Sequence, residues 1–111
     1  MSTIYVAGPM TGYPEFNYPA FRDAAATLAR LGHIVLNPVD SENHNPTPGT
    51  PQSWQWYMRH AIRMVVGADG MALLDGWEKS KGARLEHSIA TALGLDVRPL
   101  AAWVEGAELL Q

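Results

Sequence analysis

Apolar residues are distributed along the chain in two patterns that alternate: short unbroken runs, and stripes spaced three or four residues apart. Thr3 to Ala7 is a run rich in β-formers that stops at Gly8-Pro9, which predicts a buried strand entering a loop. Pro19 suits the first turn of a helix, and Phe21, Ala24, Ala25, Leu28 and Leu31 then recur at helical spacing until Gly32 supplies a C-cap. His33 to Leu36 predicts a second strand, ended by Asn37-Pro38. Asp40 to Gln52, rich in Pro, Asn and Thr, reads as a long loop. Ser53 caps a second helix whose stripe is Trp54, Tyr57, Met58, Ala61, Ile62 and Val65, closed by Gly67. Met71 to Leu74 predicts a third strand and Gly76 to Lys81 a polar loop. Leu85, Ile89, Ala92 and Leu93 mark a third helix ending at Gly94. Val97 to Leu100 predicts a fourth strand, and Ala101 to Gln111 a short helix whose Trp103 packs on the body or on another subunit.

Strands alternating with helices imply right-handed βαβ units and a parallel sheet covered on both faces. The expected architecture is α/β: a small Rossmann/flavodoxin-like three-layer domain with a parallel sheet of four or five strands. A length of 111 residues, without repeat or linker, fits one domain spanning residues 1–111.

Composition narrows the function more than the fold. With 47% hydrophobic and 17% charged residues, the balance is that of a folded protein. A formal charge of -3 and the absence of a Lys/Arg run in sequence favour a small molecule over a nucleic-acid polymer as partner. No apolar run approaches the roughly 20 residues of a membrane span, and the N-terminus has no charged region leading into an apolar one. No membrane partner and a cytoplasmic location are therefore expected. Without cysteine there is no disulfide, thiolate metal site or cysteine nucleophile. His33, His44, His60 and His87 lack metal-ligand spacing, so neither a metal nor a cofactor is expected.

Open α/β sheets bind ligands beyond the carboxyl ends of their strands. Three loops converge there: Gly8 to Tyr18, Asn37 to Gln52, and Asp75 to Lys81. The middle one is long enough for a lid or for a mobile insertion. In the first loop, Gly8-Pro9-Met10-Thr11-Gly12 places two glycines at a strand end, where backbone N–H groups approach a phosphate or sugar or simply form a turn. Tyr13, Phe16 and Tyr18 are placed to stack on a base or to pack in the core.

Asp75 opens the third loop. Ser80 and Gly82 immediately precede and open the third helix, where they either bind an anion or cap the helix. Glu86 falls near that helix's start, on the ligand side, and the helix dipole is expected to hold its carboxylate ionised. An ionised carboxylate beside a sugar can attack the anomeric carbon; the simpler reading is a surface acid favoured by the dipole. Asp69 precedes the third strand, at the far end of the sheet, and reads as structural.

The set Ile4-Tyr5-Val6-Ala7-Gly8-Pro9, Ala68-Asp69 and Gly82-Ala83-Arg84-Leu85-Glu86, followed by Ala90, resembles the nucleoside 2-deoxyribosyltransferase superfamily from about Ile4 to Val97. Gly12-Tyr13-Pro14, Asn37-Pro38 and Gly76-Trp77-Glu78-Lys79-Ser80-Lys81-Gly82 are more similar to a short bacterial and phage branch. The resemblance implies that Glu86 corresponds to the nucleophile and Tyr5 to a tyrosine bonded near it. Gly8, Pro9, Met10, Thr11, Gly12, Asp75, Ser80 and Gly82, placed at this edge of the sheet, are the expected contacts of a nucleoside or nucleotide. Ser80 stands where transferases tend to carry an aspartate and 2'-deoxynucleoside 5'-monophosphate N-glycosidases a serine facing the phosphate, which tilts the expectation toward a nucleotide. Ala61 occupies the register of a second acid, for which His60, Asp75 or a residue of another subunit would have to substitute.

The implied activity is N-glycosidase or deoxyribosyltransferase chemistry; the alternative is a nucleotide-binding module that has lost turnover. A homo-oligomer is expected, because Trp54, Trp56, Met58, Met64 and Trp103 exceed what one small core readily buries.

Overall fold

Alternate side chains of the first strand enter two different cores. In the computed structural model, which describes residues 2–109 with side chains to residue 106, β1 (Thr3–Ala7) turns Ile4 and Val6 to one face of the sheet and Tyr5 and Ala7 to the other. β3 (Gly70–Leu73) does the same with Ala72 on the first face and Met71 and Leu73 on the second. Strands buried on both faces are the rule where helices cover a parallel sheet twice.

The sheet order is β2-β1-β3-β4, with every pairing parallel. β2 (Ile34–Leu36) and β4 (Asp96–Pro99) form the edges. Edge exposure shows in Ile34, which is 52% exposed, and in the Asp96–Arg98 ion pair of 2.6 Å. Charged side chains on an edge discourage pairing with a further strand.

α1 (Tyr18–Arg30) and α4 (Leu100–Leu109) cover the Ile4/Val6 face, and α2 (Trp54–Val66) and α3 (Lys81–Ala92) cover the Tyr5/Ala7 face. The result is the three-layer Rossmann/flavodoxin-like architecture, with four strands. Phe21, Ala24 and Leu28 are the buried positions of α1, as their spacing requires. Ser53 caps α2 by accepting from the Trp56 N–H at 3.1 Å. No helix of the described residues is long and apolar enough to cross a membrane.

The α4 helix is seated by Trp103, which is 6% exposed and donates from Nε1 to the Met71 carbonyl at 3.0 Å. Its ring occupies the space where a side chain on Gly70 would begin, 2.8 Å from that Cβ position. Trp103 therefore packs on its own sheet. Asp69 accepts from the Thr3 N–H at 2.9 Å, and its backbone bridges to Thr3 and Asp96, so it ties three strand starts together.

Three sequence expectations differ from the structure. The stripe Leu85, Ile89, Ala92 and Leu93 is not the inward face of α3: Leu85 and Leu93 are 40% and 55% exposed, while Ala83, Glu86 and Ala90 are buried. Small alanines bring the helix close to the sheet, and the carboxylate between them is accommodated by a partner hydroxyl, so counting large apolar residues selects the wrong face. The Asp40 to Gln52 stretch is also more ordered than a loop reading implies, because 3₁₀ turns run from Pro38 to His44. The terminal helix begins one residue earlier than expected, at Leu100; residues 110 and 111 of that expectation lie outside the described residues.

Candidate functional site

Tyr5 lies in the central strand β1 and is fully buried; its ring points toward α3. Glu86 is the sixth residue of α3, 6% exposed, and faces the sheet. The Tyr5 hydroxyl donates to Glu86 Oε2 at 2.6 Å, the short distance of a charge-assisted bond. Among the described residues, no buried side-chain oxygen lacks a partner, and only Oε2 of this carboxyl is bonded. Oε1 is therefore the oxygen that keeps contact with the surface.

Burial pushes the Glu86 carboxyl up to about 7, and the Tyr5 bond opposes that rise without cancelling it. The expectation of a dipole-held carboxylate is thus corrected: one turn further into the helix, desolvation outweighs the helix N-terminus, whose influence fades beyond the first turn. Burial, reinforced by the neighbouring carboxylate, holds the Tyr5 phenol well above its usual range. At neutral pH the pair has one titrating member, and it is Glu86.

Ser80 caps α3 by accepting from the Ala83 N–H at 3.2 Å, which leaves its hydroxyl proton free to donate. Gly82 lies where α3 meets α2: a Cβ there would be 3.1 Å from Met58 Sδ and 3.7 Å from Trp54 Nε1. Close helix contact explains that glycine without a ligand. Gly8 is similarly occupied, since a Cβ would fall 2.8 Å from Leu74 Cβ. Gly8 and Pro9 are buried, Met10 packs against the Ile4/Val6 core, and Thr11 and Gly12 are exposed on a turn in which Gly12 has φ of +86°.

The loops after β1 and β3 meet over the strand ends, with the Tyr13 hydroxyl 2.7 Å from the Cβ position of Gly76. Asp75 follows the end of β3. It lines an open groove on the α1/α4 side, together with Tyr13, Asp23 and Glu105. Neither that groove nor a second one along α2 is lined by Tyr5, Glu86, Ser80 or Gly82. Tyr5 and Glu86 pair on the α2/α3 side of the sheet, and Tyr13 and Asp75 line the α1/α4 groove.

Sequence reasoning did not single out Glu42, in the turn that follows β2. Tyr57 donates to its Oε1 at 2.5 Å and Asn45 to its Oε2 at 3.1 Å, and these bonds, Tyr57 foremost, hold its carboxyl below the usual range. Asn45, 7% exposed, also bonds Thr47, Thr50 and Gln52. The segment is laced to itself and to α2. His44 stacks on His60 at 6.0 Å, and His60 in turn packs on Trp56 at 4.1 Å. The density of Asn, Gln and Thr here was the available signal for such a network.

A family model described as Domain of unknown function (DUF4406) matches residues 2–98. Among solved structures, the chain is similar to a 2-deoxyribosyltransferase from the psychrotolerant bacterium Bacillus psychrosaccharolyticus, characterised for nucleoside synthesis. The two are 25% identical with a TM-score of 0.64, over 86% of this chain and 69% of that one. This likeness supports the resemblance to the deoxyribosyltransferase superfamily. No protein of curated function matches.

Proposed function

Because the chain belongs to the family described as Domain of unknown function (DUF4406), which carries no reaction with it, we propose from its own side chains that it cleaves the glycosidic bond of a nucleoside or nucleoside 5'-monophosphate. The observation that carries this reading is the buried Tyr5–Glu86 pair with one carboxylate oxygen left facing outward. The similarity to a 2-deoxyribosyltransferase supports glycosyl transfer as the reaction class.

In this mechanism Glu86 Oε1 attacks the anomeric carbon while the bond to the base nitrogen breaks and its electron pair leaves with the base. Tyr5 donates to Oε2 and orients the carboxylate, so the free lone pairs point at the sugar. Water or a second base then takes the glycosyl group from the carboxylate and regenerates it. Ser80 donates its hydroxyl proton to a 5'-phosphate at the start of α3, where the helix N-terminus favours an anion.

A second reading, a binding module without turnover, is favoured by Ala61. That residue is 4% exposed in the same buried cluster as Tyr5, and supplies a methyl group where a proton donor is wanted. General acid catalysis is commonly worth about 100-fold to 10,000-fold, so its loss slows base release by that order.

The test is incubation with a panel of nucleosides and 5'-monophosphates, followed by chromatography for free base and calorimetry for binding. Release of base that depends on Glu86 is the expected result. Binding without release selects the second reading, and neither binding nor release across the panel overturns both.

A further inference from the structure

Among the described residues, every positive φ belongs to a glycine except at three consecutive positions in the loop after β1: Glu15, Phe16 and Asn17, at +52°, +53° and +61°. With ψ of 31°, 28° and 16°, they make one turn of left-handed helix. Cβ crowds the following carbonyl in that conformation, which disfavours each such residue by roughly five- to thirtyfold, Asn least and a bulky residue most. Packing does not account for this cost: no residue from Pro14 to Asn17 is buried, and Phe16 is 60% exposed. Nor can the turn simply join α1. Pro19 has no N–H, and its ring would meet the Glu15 carbonyl if α1 ran back another turn; that carbonyl accepts instead from the Tyr18 N–H.

The turn is pinned at both ends. Asn17 Nδ2 donates to the Pro9 carbonyl at 2.9 Å, and the Phe16 N–H donates to the Tyr13 carbonyl at 3.0 Å. Tyr13 then reaches across to the loop after β3, where its hydroxyl stands 2.7 Å from the Cβ position of Gly76; the Pro9 ring is 3.4 Å from the same position. Gly76 has φ of +85° and admits the phenol because it lacks a side chain. β1 and β3 lie side by side, Ala7 level with Leu73. The chain passes from β1 to one side of the sheet and from β3 to the other, so Tyr13 spans the point at which open α/β sheets take their ligands.

We propose that residues 13–17 are a strained gate over the junction of β1 and β3. Closed, Tyr13 rests on Gly76 and the left-handed turn is held by the two bonds. Open, Tyr13 leaves Gly76, and Glu15 to Asn17 relax to extended backbone. Extension lengthens these three residues by about 5 Å in all, which frees Tyr13 from its seat while β1 and α1 stay in place. The strain relieved on opening offsets the bonds lost, so the two forms lie close in free energy and a ligand needs little differential affinity to choose between them. The gate controls the access of a small molecule to this edge of the sheet and does not depend on the chemistry of Glu86.

Nuclear magnetic resonance on the full chain tests this, with variants at the exposed Glu15. Glu15→Gly removes one left-handed penalty from the closed form, so hydrogen exchange at the Phe16 amide should slow at least fivefold. Glu15→Val, β-branched and least tolerant of positive φ, should speed it at least fivefold. In an unstrained loop glycine would speed exchange instead, by loosening the chain. Gly76→Ala sets a methyl against the Tyr13 hydroxyl and should also speed exchange at Phe16, while the amides of β1 stay protected; should that variant unfold, the Glu15 pair still decides. A soluble nitroxide reports the uncovering itself: its broadening of the Gly8 and Leu74 amide signals should grow in Glu15→Val and shrink in Glu15→Gly. Exchange at the wild-type rate or faster in Glu15→Gly overturns the proposal, because the turn is then not strained. So does altered exchange without altered broadening, which would mean that the turn moves without uncovering the strand ends, and so does a folded Gly76→Ala protein that exchanges like wild type.

Discussion

The Tyr5 hydroxyl and Glu86 Oε2 are joined at 2.6 Å across 81 residues of sequence, inside the layer between the sheet and α3. Burial raises both groups, but from starting points far apart, so the phenol keeps its proton at neutral pH and the carboxyl is left to titrate near 7. Four measurements follow from that pair and from the packing around it.

Stability should fall as pH rises from about 4.5 to about 7. In that window folded Glu86 retains a proton that the unfolded chain releases, its folded pKa standing above the ordinary 4.5. A tenfold difference in proton affinity between the two states is worth about 1.4 kcal/mol, so the loss approaches roughly 3 kcal/mol above pH 7. Thermal melts of wild type and Glu86→Gln should coincide near pH 4, with the variant melting several degrees higher at pH 8. Equal melting at both pH values would mean that Glu86 is not desolvated.

Glu86→Gln also separates turnover from binding. The amide keeps the shape and can still accept from Tyr5, but it cannot attack the anomeric carbon. Base release should nearly vanish while the affinity for a 5'-monophosphate changes by less than about tenfold, because the lost charge acts mainly in the transition state. Unchanged turnover would remove Glu86 from the mechanism.

Tyr5→Phe removes the one bond that lowers the Glu86 pKa. The carboxyl should titrate at higher pH, shifting the alkaline rise of the activity profile upward. The folded state should lose about 1–3 kcal/mol at pH 8, where a charged oxygen is left buried and unpartnered. An activity profile superposing on that of wild type would show that Tyr5 does not tune this group.

Gly8→Ala and Gly70→Ala should each destabilise by about 1–3 kcal/mol, since the added methyl meets Leu74 Cβ in one case and the Trp103 ring in the other, both at 2.8 Å. Chemical denaturation gives the value. A Gly8→Ala protein of native stability that loses ligand affinity would instead assign that glycine to the ligand.

The architecture was legible because β1, α1, β2, α2 and β3 each carry the period their burial demands, with Gly32 and Ser53 marking ends as expected. The site was legible in part. Tyr5 and Glu86 were paired through a resemblance, since nothing in their spacing announces a contact between a mid-strand tyrosine and a helix residue 81 positions later. Its electrostatics were not readable, because ionisation depends on how deeply α3 sits, and that depth is set by Ala83 and Ala90, which attract no notice in a pattern of large apolar residues. The network around Glu42 was signalled by the density of Asn, Gln and Thr between β2 and α2, but that density does not name Tyr57 as the carboxylate's partner.

The strand order has a kinetic side as well. β1 pairs first with a neighbour 31 positions away, Thr3 with Ile34, and then with one 66 positions away, Ile4 with Gly70. Closing the longer loop costs under about 1 kcal/mol more in chain entropy, yet it also requires α2 to be laid down beforehand. The β1–α1–β2 unit is therefore the natural nucleus, with Tyr5 waiting on its bare face until α3 docks. Glu86 is then solvated through most of the climb, and it is desolvated only as the final layer closes. Above neutral pH the buried charge therefore burdens the native state more than the transition state, and unfolding should quicken with pH in wild type and not in Glu86→Gln.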